Sequence, residues 1–183
     1  MSDNTYNIPT MSTGTMVEQL TELYTQAYRN HTLPFLPSVA LWGPMGVGKS
    51  TAVKTIAENL SKEFQQHVGV TDIRLLNFSP IDLRGIPSAD INKEFTVWWN
   101  PKIFDLPKDI PHILFLDEIS AAPQSLQAAA YQIALDKRIG EFELPANCIV
   151  ICAGNRTTDR SVAFRMPKAL ANRLLHIEIL SDF

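Results

Sequence analysis

Much that would point to a specialised class is scarce in this sequence. Only two cysteines, Cys148 and Cys152, occur in 183 residues. Four residues of extended chain would hold them roughly 13 Å apart, too far for a disulfide or a shared metal. The sequence is therefore no disulfide scaffold, and the pair reads as reduced thiols in a buried strand, which fits the cytoplasm. The four histidines, His31, His67, His112 and His176, are scattered without ligand spacing, so no metal centre is expected from them. No apolar stretch approaches the roughly 18 to 20 residues of a membrane span. The opening MSDNTYNIPT has neither the basic end nor the apolar stretch of a signal peptide. A net charge of −3 gives no global basic footprint, which disfavours nucleic acid as a partner.

What remains is an ordinary folding composition, 45% hydrophobic and 19% charged, in a length that suits one domain. Residues 1–13 are polar and aperiodic and read as an arm preceding a domain over 14–183. Thr15 and Glu18 offer a capping box for an amphipathic helix with Met16, Leu20, Leu23, Tyr24 and Ala27 on one face. Apolar runs then recur at Val39 to Trp42, Ile73 to Phe78, His112 to Leu116, Cys148 to Ala153 and Leu174 to Ile179. Each has the length of a strand buried on both faces, and helical patterns lie between them, at Ser50 to Phe64 and Pro123 to Lys137. This alternation predicts a doubly wound α/β fold: a five-stranded parallel sheet with helices on both faces. Ile91 to Asp105, rich in aromatic and β-prone residues, reads as an inserted hairpin or loop.

Directly after the first run comes Gly43-Pro44-Met45-Gly46-Val47-Gly48-Lys49-Ser50, followed by Thr51. It satisfies G-x-x-x-x-G-K-[ST] between a strand and a helix, the context of a phosphate loop. Glycines let backbone N–H groups converge on an anion, and the helix adds its positive end. Lys49 would reach the β and γ phosphates, and Ser50 would ligate Mg²⁺. Asp117 and Glu118 close a run too apolar to hold them inside, so they belong at the sheet's carboxyl edge, where doubly wound folds bind ligands. There Asp117 would hold Mg²⁺, and Glu118 would orient or deprotonate a water. Asn155 ends the fourth run with an amide able to bond both that water and a phosphate oxygen.

These residues carry a family resemblance over roughly 35–180. GPMGVGKS, PIDLRGIPS, ILFLDEISAAPQSLQAAAYQIALDKRIGEFELP, CAGNR and MPKALANRLLHIEI together resemble the AAA+ ATPases, and within them the MoxR-like branch. The resemblance implies an ATPase with Mg²⁺ as cofactor and ATP as substrate. Lys49 and Ser50 would belong to Walker A, Asp117 and Glu118 to Walker B, and Asn155 to sensor 1. It further implies a ring, hexameric in form, in which Arg173 acts as a finger on the neighbouring subunit's nucleotide. Arg156, Arg160 and Arg165 compete for that role. The implied work is the remodelling of a protein partner, such as an adhesion-domain protein. The segment around Trp98 and Trp99 falls where this branch inserts a hairpin, and the indoles serve either packing or a grip on substrate.

The family's modules continue into a small helical lid with a second sensor arginine, whereas this sequence stops at Phe183. The lid is expected to lie beyond the sequence, in a longer protein, rather than to be missing by nature. Asn155-Arg156-Thr157-Thr158-Asp159-Arg160-Ser161 is also similar to the McrB-like GTPases of DNA restriction, with one extra residue between Asn and Asp. Phe95 stands where a guanine-reading pattern needs an Asp, so ATP is favoured over GTP. A nucleotide-dependent switch with little turnover is the third reading.

Overall fold

The computed structural model describes residues 8–155 and 172–180. Its centre is a sheet of six parallel strands in the order β1 (Thr10–Met11), β10 (Leu175–Ile179), β2 (Val39–Trp42), β9 (Cys148–Gly154), β6 (His112–Asp117) and β3 (Gly69–Arg74). The five expected strands all form. The sixth, β1, comes from the stretch expected as an arm, and its two residues pair with Glu178 and Ile179. No periodicity can be read in so short a strand.

Alternate side chains of the sheet feed two cores. Val39, Leu41, Ile113, Phe115, Ile149 and Ile151 pack under α1 (Thr13–Arg29) and α2 (Lys49–Phe64). Ala40, Leu114, Leu116, Val150 and Cys152 pack under α4 (Gln124–Asp136) on the other side. The expected face of α4, Leu126, Ala129, Ala130 and Ile133, is buried there. Both thiols are free and buried, and burial pushes each up to about 12.

Two expectations at element starts need correction. The cap of α1 is Ser12 rather than Thr15: the Ser12 hydroxyl accepts the Thr15 N–H at 3.2 Å, which satisfies an otherwise orphaned donor. β3 begins four residues earlier than Ile73 and ends at Arg74, after which Leu75–Asn77 form a 3₁₀ turn. As an edge strand β3 tolerates Thr71 and Asp72, so its polar first half does not read as a strand.

The insertion is a hairpin, as expected, but its first strand lies before Ile91. β4 (Ile86–Ala89) pairs antiparallel with β5 (Thr96–Trp99). It comes after the short helix α3 (Pro80–Arg84), which opens on a Ser79–Asp82 capping box. Gly85 ends α3 at φ +86°, and a Cβ there would fall 2.1 Å from the Trp99 carbonyl oxygen, so the hairpin closes only over glycine. A second, smaller hairpin, β7 (Arg138–Ile139) with β8 (Phe142–Glu143), succeeds α4, and its two-residue strands are too short to show a pattern in the sequence.

At the amino end of the sheet His112 is pressed against Gly69, whose Cβ would meet the imidazole at 2.8 Å. Its Nε2 lies 2.8 Å from the Thr71 hydroxyl, and its Nδ1 is buried without a hydrogen-bond partner. Burial first, and the nearby His67 second, hold its pKa below the ordinary histidine value of 6.5. The unfolded chain then takes up a proton as pH falls through about 6.5 while the folded protein does not, so stability falls with pH. Urea unfolding at pH 7.5 and 5.5 should show a lower midpoint at 5.5, with a smaller loss in His112→Gln; equal losses would remove His112 as the cause.

Candidate functional site

β2, β9 and β6 lie side by side and end at the same edge, because the register sets Trp42 beside Gly154 and Leu116 beside Cys152. The polar groups just past these strands therefore meet. The chain leaving β2 runs through Gly43 to Gly48, with Gly46 at φ +81° and Gly48 at φ +90°, conformations that side chains oppose. Gly48 caps α2, so Lys49 and Ser50 stand in the helix's first turn, at its positive end.

Lys49 is buried, and a buried ammonium needs partners. Its Nζ donates to the Gly43 carbonyl at 2.7 Å, the Pro44 carbonyl at 2.9 Å and Asn155 Oδ1 at 3.1 Å. The Ser50 hydroxyl donates to Asp117 Oδ2 at 2.9 Å, and Asp117 Oδ1 accepts the Glu118 N–H at 2.8 Å. Glu118 adopts φ +60°, an uncommon conformation for a residue with a side chain and one that clusters at functional sites. That turn brings Glu118 Oε1 to 4.0 Å from Arg74 Nε at the end of β3. Asn155 is held from behind, its N–H donating to the Ser120 hydroxyl at 2.8 Å.

These groups enclose a cleft of about 280 Å³. Whole small-molecule pockets run from about 300 Å³ upward, so this one fits the polar end of a ligand. Met45, Gly46, Gly48, Lys49, Ser50, Thr51, Asp117, Glu118 and Asn155 line it. Gly43, Pro44 and Val47 do not: the first two give carbonyls to Lys49, and Val47 packs on the α1–α2 core while its carbonyl accepts the Thr13 hydroxyl.

Arg173 is not brought to the cleft. It is exposed, two residues before β10, whose first N–H bonds the Ser38 carbonyl just ahead of β2. Since β10 and β2 run parallel, Arg173 stands at the edge where these strands begin, opposite the cleft. Arg156, Arg160 and Arg165 lie outside the described residues.

Three contributors escaped the sequence reading. Arg74 ends β3, and the misplaced strand had put it near a beginning. Ser120 supports Asn155. Trp42 donates its indole N–H to His176 Nδ1 at 2.8 Å and packs on Gly154, whose Cβ would fall 2.8 Å from the indole. Asp72, also on β3, has its pKa raised, first by burial and then by Asp117, against the opposing pull of Arg74 and Lys54.

Among the described residues no three His, Cys, Asp or Glu side chains form a metal cluster. A hydroxyl and a carboxylate 2.9 Å apart, beside a place for phosphate and water oxygens, nevertheless match what Mg²⁺ accepts, since it usually takes one or two carboxylates and keeps several waters.

Residues 39–179 match the profile of the ATPase family associated with various cellular activities (AAA). Among solved structures, the closed state of Hsp104 with ATPγS and FITC casein superposes with a TM-score of 0.61 at 18% identity, over 92% of this chain and 33% of that one. A candidate ATPase from Cytophaga hutchinsonii gives 0.53 at 15%, over 89% and 46%, and NtrX from Brucella abortus gives 0.50 at 15%, over 94% and 38%. At these identities the likeness shows the fold alone, and the chain spans less than half the length of each. None of the curated proteins matches the sequence.

Gly154→Ala tests the wall behind Asn155. The added methyl would fall 2.8 Å from the Trp42 ring and 3.1 Å from the Ser120 hydroxyl. Overpacking of this kind typically costs about 1 to 3 kcal/mol. The urea midpoint should fall accordingly, and an unchanged midpoint would mean that the Trp42–Gly154 contact is loose.

Proposed function

The chain belongs to the ATPase family associated with various cellular activities, and from that membership we propose that it binds Mg·ATP in the cleft and hydrolyses it within a MoxR-like ring that remodels a protein partner. The observation that carries the reading is the meeting of Lys49, Ser50, Asp117, Glu118 and Asn155 at one sheet edge. In this reading Lys49 leaves the loop carbonyls for the β and γ phosphates, where its charge is better matched. Ser50 and Asp117 hold Mg²⁺, which neutralises charge on the phosphate oxygens when bound. Glu118 takes the proton of the attacking water, and its contact with Arg74 sets where the carboxylate waits. Asn155 lends the amide that steadies water and γ-phosphate.

Arg173 completes the site from a neighbouring subunit. Its exposed position at the sheet edge away from its own cleft supports action in trans and argues against action in cis. A guanidinium supplied in this way raises turnover by about 10³ to 10⁵ in related chemistry. Remodelling of a protein by a ring, as in the MoxR-like branch, rests on the motif resemblance together with the projecting aromatic hairpin.

Glu118→Gln should bind ATP normally and lose hydrolysis, because an amide cannot accept the proton. Arg173→Ala should bind normally and lose turnover, and assemblies mixed from the two variants should regain activity. Coupled phosphate-release assays on ring-forming preparations read both. Normal turnover in Glu118→Gln would move the base elsewhere. Normal turnover in Arg173→Ala, or no complementation in rings, would pass the finger to Arg160 or Arg165.

A further inference from the structure

The histidines have no ligand spacing in the sequence, yet the fold brings two of them together at the edge where the strands begin, opposite the cleft. His112 opens β6 and pairs in register with Gly69, which opens β3. His67 stands two residues before Gly69, in the turn that leaves α2. That turn is pinned to the helix. The Ser61 hydroxyl donates to the Ala57 carbonyl at 2.7 Å and accepts the Val68 N–H at 2.9 Å, and Val68 is buried. The backbone at His67 is thereby held in place, while its side chain is exposed.

A Cβ built on Gly69 would lie 3.0 Å from His112 Nδ1 and 3.7 Å from His67 Nε2. Both nitrogens therefore border one small space, which is open because residue 69 has no side chain. His112 Nδ1 is buried and has no hydrogen-bond partner among the described residues. A buried polar atom left in this state calls for an explanation, and an ion is one of the few available. The other ring nitrogen, Nε2, lies 2.8 Å from the Thr71 hydroxyl. When Nε2–H donates to that oxygen, Nδ1 is left as a bare lone pair beside the second imidazole. This is the arrangement of a ligating histidine, whose far N–H is held by a neighbour that fixes its tautomer and orientation.

We propose that His67 Nε2 and His112 Nδ1 bind a divalent transition ion such as Zn²⁺, with water completing its shell. Imidazole nitrogens suit Zn²⁺, Ni²⁺ and Cu²⁺ and do not suit Mg²⁺, which prefers oxygen. Bonds from imidazole to zinc are about 2.0 to 2.1 Å, so the nitrogens must draw in, and rotation of the exposed His67 side chain supplies the movement. Two protein ligands are fewer than the four of a closed structural zinc site, so the ion is exchangeable. When bound, it joins the α2–β3 turn to β6 and fixes the edge strand β3 at its first pair. The site does not depend on nucleotide, and it stands or falls separately from the ATPase reading.

The test is calorimetric titration of ZnCl₂ into the full, metal-stripped chain at neutral pH, without nucleotide and in excess Mg²⁺ to occupy oxygen sites. The wild type should take up Zn²⁺, and the ring resonances of His67 and His112 should shift together in NMR spectra. Thr71→Val should weaken binding roughly ten- to a hundred-fold, the usual cost of removing the partner of a ligating histidine, and Thr71→Ser should retain it. His67→Gln and His112→Gln should each lose no less than Thr71→Val. His67 is exposed, so its variant tests the site without threatening the fold. No uptake by the wild type, as a bridging water in the same space would give, would overturn the proposal. So would uptake unchanged in His67→Gln, or shifts confined to other residues.

Discussion

A sheet buried on both faces cannot hold a charge, and most of this molecule derives from that constraint. Every residue of β9 is buried, and all of β6 except His112. An ionised group inside either strand would cost several kcal/mol even after relaxation. In these two strands polar residues are therefore confined to the ends. Because the strands are parallel, their ends coincide, and the glycine loop, the Asp117–Glu118 pair and Asn155 come together without any contact in sequence. Two bonds then tie the cleft: Lys49 joins the loop to Asn155 after β9, and Ser50 joins α2 to Asp117 on β6.

The same constraint explains what was legible in the sequence. β2, β6 and β9 are nearly unbroken apolar runs, so their ends could be read and with them the residues that meet there. β3 is an edge strand and does not have to be apolar. Gly69, Thr71 and Asp72 hid its start, and the run Leu75-Leu76-Asn77-Phe78 that resembled a strand is a 3₁₀ turn capped by Phe78. The error of four residues removed Arg74 from the strand ends, and the polar residues before it leave no apolar run for it to close. Ser120 and Trp42 were illegible for another reason: their roles depend on clearance around Gly154, a property of packing rather than of pattern. β1 was too short to show any period. The hairpin was seen from its aromatic strand, while β4, with its proline, looked like loop.

The cleft, Arg173 and the β4–β5 hairpin are kept apart in space. The cleft occupies the edge where strands end, Arg173 the edge where they begin, and the β4–β5 hairpin projects from the segment between β3 and β6.

The most direct test of the account is calorimetric titration of Mg·ATP into the wild-type chain and into Lys49→Ala. One charge-assisted phosphate contact is worth about 1.5 to 3 kcal/mol, so affinity should fall roughly ten- to a hundred-fold in the variant. Equal affinity for the two proteins, or no heat with the wild type, would mean that the convergence of Lys49, Asp117 and Asn155 does not form a nucleotide site.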